Sequence, residues 1–275
     1  MKSWLDGCSA QGGGDCPEAV ADALHDMLKL SWRENATKIC VLISDAPPHG
    51  LSPNGDGFPN GCPVGLDPMD IVRELAAKGI TLYSVGCEPA INQYKEFFTA
   101  IAYLTGGQYI PLRGAKALTQ VIIGGAQEEI SLERWMAEVD EEVQREIAVG
   151  NQINDDEMTR RVQAKMNSKG IRGKKLQRNN LDLEAASASS KQLAGFTNMA
   201  DVRSNFKETS VLDSRGGAAF PASVRMAPMA MAAPPVMETR ETTNMDSWNT
   251  VESSISYDQA SRMVQKSKSR QNYMS

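Results

Sequence analysis

KICVLISDAPPHG, residues 38–50, joins a short run of β-branched and aliphatic residues to a carboxylate, two prolines and a histidine. Lys38 to Asp45 has no polar alternation, as in a strand buried on both faces of a parallel sheet. Downstream, MDIVRELAAK (69–78) sets Ile71, Val72 and Leu75 on one helical face, with Gly79 as a C-cap. GITLYSVGCE (79–88) predicts a second strand, YKEFFTAIAYLTGG (94–107) a helix stopped by two glycines, and QYIPL (108–112) a short third strand. Alternation of this kind predicts β–α–β units. Right-handed crossovers then place all three strand ends on one edge, where open α/β sheets bind ligands.

Upstream, GGGDCPEA (12–19) is a glycine-rich turn ahead of the helical spacing Val20, Leu24, Met27, Leu28. Two readings of Asp15 stand side by side. It caps the helix, with Pro17 and Glu18 in the first turn, or it holds a cation with a partner elsewhere. Asp45 supplies that partner if the helix packs on the sheet before strand 38–44. Two carboxylates at the carboxyl end of a parallel sheet suit a hard divalent ion such as Mg²⁺, which takes oxygen ligands and keeps several waters.

The 275 residues carry a net charge of −5, unevenly spread. Residues 1–150 hold 11 Lys and Arg against 21 Asp and Glu, and the remainder 18 against 13. The basic excess is too diffuse for a nucleic-acid surface, which needs clustered cations. There is no apolar run long enough to span a membrane, and no secretory signal is expected after Met1-Lys2-Ser3-Trp4. Five irregularly spaced cysteines do not read as a disulfide framework, so a reducing, cytoplasmic setting is the expectation.

Leu132, Trp135, Met136, Val139, Val143 and Ile147 form a stripe at helical steps, expected to pack on the sheet or a partner helix. Beyond residue 150 the composition shifts to Ala/Ser and Ala/Pro/Met bias without a sustained period. This divides the chain into an α/β part (1–135), a helical extension (136–178), a flexible linker (179–250) and a short C-terminal helical segment (251–275). INDDEMTRRVQ (153–163) and ISYDQASRMVQ (255–265) share Ile, Asp, an alcohol, Arg, Val and Gln at matching positions. They predict two short helices that dock alike or bind the same kind of partner.

AQGGGDCPEAVADAL, KICVLISDAPPHG, DGFPNGCPVGLDP, GITLYSVGCEP and TGGQYIPL together resemble the second half of a von Willebrand factor A domain. The likeness covers about residues 1–135 and is to the type found in hemicentin-like proteins and beside alpha-kinases. It implies a doubly wound α/β fold, here a partial parallel sheet of about three strands with flanking helices and a largely disordered tail. It also implies a metal-ion-dependent adhesion site, where an acidic side chain of a protein partner completes the coordination of a divalent cation. By position Asp45 matches that site's third element, and Asp15 falls at or beside its threonine. The chain departs from the family in that aspartate and in having no Asp-x-Ser-x-Ser before it. The resemblance therefore implies two of three ligand loops, a weakened Mg²⁺ site and a sheet with one flank exposed.

His49 with Cys16, Cys62 and Asp15 offers a zinc alternative, but the spacing matches no standard zinc pattern. Asp56-Gly57 reads as turn chemistry and Asp56 is not counted as a ligand, Asp67-Pro68 reads as a helix start, and His25 as a surface or packed histidine. No nucleophile–base pair and no phosphate-binding loop is present. The expectation is a non-enzymatic, metal-assisted interaction or scaffolding module. The alternative is the regulatory portion of an alpha-kinase-like or other enzyme.

Overall fold

The computed structural model describes residues 3, 6–9, 14–52, 54–149, 154–208 and 246–271. The chain is mixed α/β. Strands β1 (Lys38–Ser44), β2 (Ile80–Cys87) and β3 (Tyr109–Leu112) form a parallel sheet in that order. Lys38 pairs with Ile80 and Ser44 with Gly86, while Ser84 pairs with Tyr109 and Cys87 with Leu112. Central β2 is buried on both faces, which explains its unbroken apolar run. β1 is not the doubly buried strand its apolar run predicts: only Cys40 and Leu42 are buried, Ile43 is 43% exposed, and among the described residues nothing pairs with its outer edge.

Helices α1 (Val20–Lys29), α2 (Pro68–Ala77) and α3 (Lys95–Leu104) enclose one core with the sheet, around Leu24, Val72, Leu75, Leu82, Phe97 and Ile101. Asp67 starts α2 as the motif predicts: its carboxylate accepts from Met69 N at 2.8 Å, with Pro68 at the first helical position. The other sheet face is covered by α4 (Leu118–Glu133). Its paired glycines explain the close fit. A methyl at Gly124 would lie 2.5 Å from Leu176 Cδ1, and one at Gly125 3.2 Å from Tyr83. One helix thus meets layers on two sides.

The second layer corrects the domain reading. After α5 (Met136–Ala148) and α6 (Asp155–Ser168), residues 172–178 are not helical extension but strand β4 (Arg172–Arg178). Residues 179–208, expected to be linker, hold β5 (Leu181–Asp182), α7 (Ala188–Gly195) and α8 (Met199–Asn205). The C-terminal segment contributes a strand, β6 (Trp248–Ser254), before α9 (Tyr257–Gln271). β4 lies between β5 and β6 in an antiparallel sheet, Arg172 opposite Ser254 and Arg178 opposite Trp248. Its polar sequence hides a strand because the β6 partners lie 70 to 82 positions on and Leu176, which is buried, is its one large apolar side chain. The rest of the expected linker, 209–245, lies outside the described residues.

The two similar segments lie on α6 and α9, which share one core: Met158, Val162 and Met166 pack with Ala260, Met263 and Val264. They do not dock alike. Arg160 is exposed, whereas the matching Arg262 is 2% exposed. Ile153 lies outside the described residues. The predicted stripe holds for Leu132, Met136, Val139 and Val143, all buried, while Ile147 is 45% exposed.

Candidate functional site

The glycine-rich loop and the end of β1 lie together. Glu18 N donates to Pro47 O at 2.9 Å, and Glu18 and Pro48 form an isolated parallel bridge. That bridge overturns the capping reading of Asp15. Helix α1 begins only at Val20, its N-cap is Ala19 without a side-chain bond, and Pro17 and Glu18 lie outside it. The backbone there is committed to the neighbouring loops instead: Cys16 N donates to Gly55 O at 3.2 Å.

Asp15 meets the loop that follows β1. Its Oδ2 accepts from Gly57 N at 2.7 Å and lies 3.6 Å from His49 Nδ1. A methyl at Gly57 would stand 3.0 Å from that oxygen, a tight contact that the Asp15 carboxylate would have to yield to slightly. Asp56 organises the same loop: Oδ1 lies 2.9 Å from His49 Nδ1 and accepts from Phe58 N at 2.8 Å, while Oδ2 accepts from Gly50 N at 2.7 Å. Phe58 presents its ring edge-on to His49, centroids 5.0 Å apart. Arg203 on α8 fastens the loop from behind, Nε to Gly50 O at 2.7 Å.

Asp15, His49 and Asp56 therefore form one group, with a ligand atom of each within 4.8 Å of the others. Asp45 is outside it, exposed at the end of β1. Its charge is felt on the other side, where burial and then Asp45 raise the Cys87 thiol pKa. The zinc alternative is not assembled as drawn, because Cys62 Sγ donates to Asp22 Oδ2 at 3.6 Å rather than joining His49. His25 sits half-buried on α1.

The donor set separates two cation chemistries. An imidazole beside two carboxylates suits a borderline ion, whereas Mg²⁺ prefers oxygen and retains water. Both Asp56 oxygens and Asp15 Oδ2 already accept backbone N–H groups. Asp45, the second carboxylate expected to hold a hard cation, is not part of the group that Asp15 joins. Two carboxylates with water completing the shell is how Mg²⁺ is ordinarily held.

Sequence reasoning placed His49 in the site-facing loop and left Asp56 aside. The available signal was the Asp56-Gly57 turn seven positions beyond a histidine, but only the folded loop closes the pair. Burial alone would raise the Asp56 pKa, and the hydrogen bonds from His49, Gly50 and Phe58 outweigh it, leaving it below 3.8. A depressed carboxylate stabilises the fold above its unfolded pKa and loses that contribution as pH falls through the lowered value. Asp56→Asn should therefore lower stability by about 1–2 kcal/mol at neutral pH and flatten the acid limb of the stability profile. A melting series from neutral to acid pH with an unchanged limb would contradict this.

No family model matches the chain. Alpha-protein kinase vwkA of Dictyostelium discoideum is 33% identical over 76 residues, 27% of this chain and 12% of that protein. A putative ariadne-like RING finger protein of Acanthamoeba polyphaga mimivirus is 32% identical over 132 residues, 44% of this chain and 12% of that protein. The chain thus spans 12% of the length of each of these curated relatives. No solved structure matches. No helix among the described residues is long and apolar enough to cross a membrane.

Proposed function

We propose that this chain is a protein-binding module of the von Willebrand factor A type, whose loops at the carboxyl edge of the parallel sheet capture a partner with help from a divalent cation. The observation that carries the reading is the Glu18–Pro48 bridge. It sets the glycine-rich loop beside the β1 loop, with Asp15 and Asp45 each three positions ahead of it. Asp15 Oδ1 and Asp45 would hold Mg²⁺ weakly, and an acidic side chain of the partner would complete its coordination. His49 and Asp56 shape the loop wall, and the ion supplies the attraction for the partner's carboxylate.

Each of the two relatives shares with this chain a stretch amounting to 12% of its own length. The kinase likeness also favours a second reading, the regulatory portion of an alpha-kinase-like or other enzyme. A catalytic domain encoded in the same transcript would decide for that reading.

Isothermal titration tests the ion. Mg²⁺ should give weak saturable heat with the parent chain and none with Asp15→Ala or Asp45→Ala. Identical traces for all three would end the metal reading. If Zn²⁺ rather than Mg²⁺ gives the heat, and His49→Ala removes it, the ligands are Asp15, His49 and Asp56.

A further inference from the structure

The outer edge of β1 and the sheet face beside it are open together. Among the described residues no strand pairs with that edge, and an unpaired edge offers its N–H and C=O groups to another strand. Ile39, Val41 and Ile43 point to one face, because side chains alternate along a strand. That is the face α4 covers over β2 and β3: Ile39 and Val41 line a shallow apolar groove with Tyr83, Val85 and Ile122. The cover stops short of β1. Ile39 and Val41 are only half-buried and Ile43 is exposed, while on the helical wall Ile122 and Ile123 are 38% and 52% exposed.

The other open edges among the described residues carry features that discourage pairing. β3 is four residues long and holds Pro111, which has no N–H. β5 is two residues long, and β6 carries the exposed Glu252. β1 runs for seven residues, and between Lys38 and Asp45 it has no charge, no proline and no glycine. A long apolar edge without such a guard is an aggregation site when bare, so a specific occupant is called for.

The strand's own sequence fits a second copy of itself. A two-fold axis through Val41, perpendicular to the sheet, sets two β1 strands antiparallel with the same face up. Val41 then stands opposite its mate, and Ile39 opposite the partner's Ile43 at both ends of a continuous apolar row. Cross-strand pairs of β-branched residues are the unit of sheet stabilisation. The charges agree with this register. Lys38 comes opposite the partner's Ser44 and next to its Asp45, so opposite charges lie close at both ends of the joint ladder. A parallel copy in register would set Lys38 beside Lys38 and Asp45 beside Asp45, and like charges opposite one another destabilise a sheet. β6 of another copy is a poorer match, because it would bring Asn249, Val251 and Ser253, or Thr250 and Glu252, against the apolar row.

We propose that the outer edge of β1 is a homodimer interface: two copies of this chain pair β1 antiparallel about Val41, joining two three-stranded sheets into one of six and covering Ile39, Val41 and Ile43. The carboxyl edges of the two sheets then face opposite ways, so the dimer presents its two glycine-rich loops pointing apart. The interface needs no cation and stands independently of the Asp15–Asp45 reading.

Sedimentation equilibrium of the full chain in EDTA tests this, with the mass expected to rise with concentration from one chain to two. Ile43→Lys, at an exposed position, should weaken the dimer about tenfold, the worth of the two Ile39–Ile43 pairs it breaks. Its melting temperature under dilute, monomeric conditions should match the parent's. Val41→Lys and Val41→Glu read the register: each alone sets like charges across the axis and should be monomeric, whereas an equal mixture of the two should recover a dimer. A parent that stays one chain at every concentration overturns the proposal in favour of a strand from a different protein. Growth beyond two chains overturns it as well, since a two-fold pairing closes on itself. So does a dimer that Ile43→Lys leaves unchanged, or a mixture of folded Val41 variants that stays monomeric.

Discussion

Arg262→Met should destabilise the chain by about 3–5 kcal/mol, because it strands a buried carboxylate. Arg262 and Glu128 are 2% and 1% exposed, with Nη2 and Oε1 2.6 Å apart. Glu128 is a hub. It also accepts from Gln108 Nε2 at 2.7 Å, Gln259 Nε2 at 2.9 Å and Leu176 N at 3.3 Å, tying the start of β3, α9 and β4 to one side chain of α4. Burial alone would lower the Arg262 pKa, but the charges of Glu128 and Asp258 overcome it and raise it. The guanidinium is thus charged at any accessible pH.

The pair continues as a ladder. Lys266 pairs with Glu129 and, at 2.5 Å, with Glu133, and Arg270 reaches Glu133 at 2.8 Å. Arg262, Lys266 and Arg270 lie one turn apart on α9, facing α4. Removing one partner is costly chiefly through the charge left behind, since a buried pair itself is worth little net. The double variant Arg262→Met with Glu128→Gln, which removes the stranded charge and keeps an acceptor for the Gln108, Gln259 and Leu176 donors, should therefore recover part of the single variant's loss. Urea denaturation of the parent, both singles and the double gives the coupling. A strictly additive result, or a loss under about 1 kcal/mol for Arg262→Met, would contradict the ladder's role.

The ladder also carries a pH signature. Burial would raise the Glu133 pKa, but Lys266 and Arg270 outweigh it and hold it below 4.5. The stability it contributes is present above pH 4.5, its unfolded value, and is lost as pH falls through the lowered one. The α9 docking should thus weaken on the acid side. Amide exchange of α9 that is insensitive to acid would oppose this.

Gly107→Ala is the second large effect. A methyl there would fall 1.9 Å from the Leu82 carbonyl oxygen and 2.8 Å from its carbon. Both atoms are backbone of the central strand, so no side chain can swing aside. Relief requires moving β2 or the turn after α3, at a cost of about 3 kcal/mol, at the upper end of overpacking penalties. Gly106 beside it has φ +80°, and a methyl there would meet Lys266 Cβ at 2.5 Å. The two glycines read only as a helix stop in fact let strand, turn and α9 converge. Gly195→Ala is the control, since a methyl there meets nothing within 4 Å. Thermal melts should separate the two substitutions widely, and equal midpoints would contradict the packing argument.

The parallel sheet was legible along the chain because its signals are local. The apolar runs of β1 and β2, the faces of α2 and α3, and the Asp67-Pro68 start each declare themselves within one element. Each reports whether a residue is buried, which for an aliphatic side chain depends on water more than on a particular neighbour. The adjacency of the glycine-rich loop and the β1 loop followed from topology in the same way. The second layer was not legible. Arg172 to Arg178 and Tyr257 to Gln271 look like solvated polar segments, since burying Arg262 or Lys266 is favourable only once Glu128 and Glu129, more than 130 positions away, stand opposite. The His49–Asp56 pair has the same origin. Composition and period by themselves determined the order of strands and helices in the first layer. Which charges are buried and which carboxylate meets the histidine were decided by the tertiary structure, because each depends on two groups meeting rather than on one meeting water.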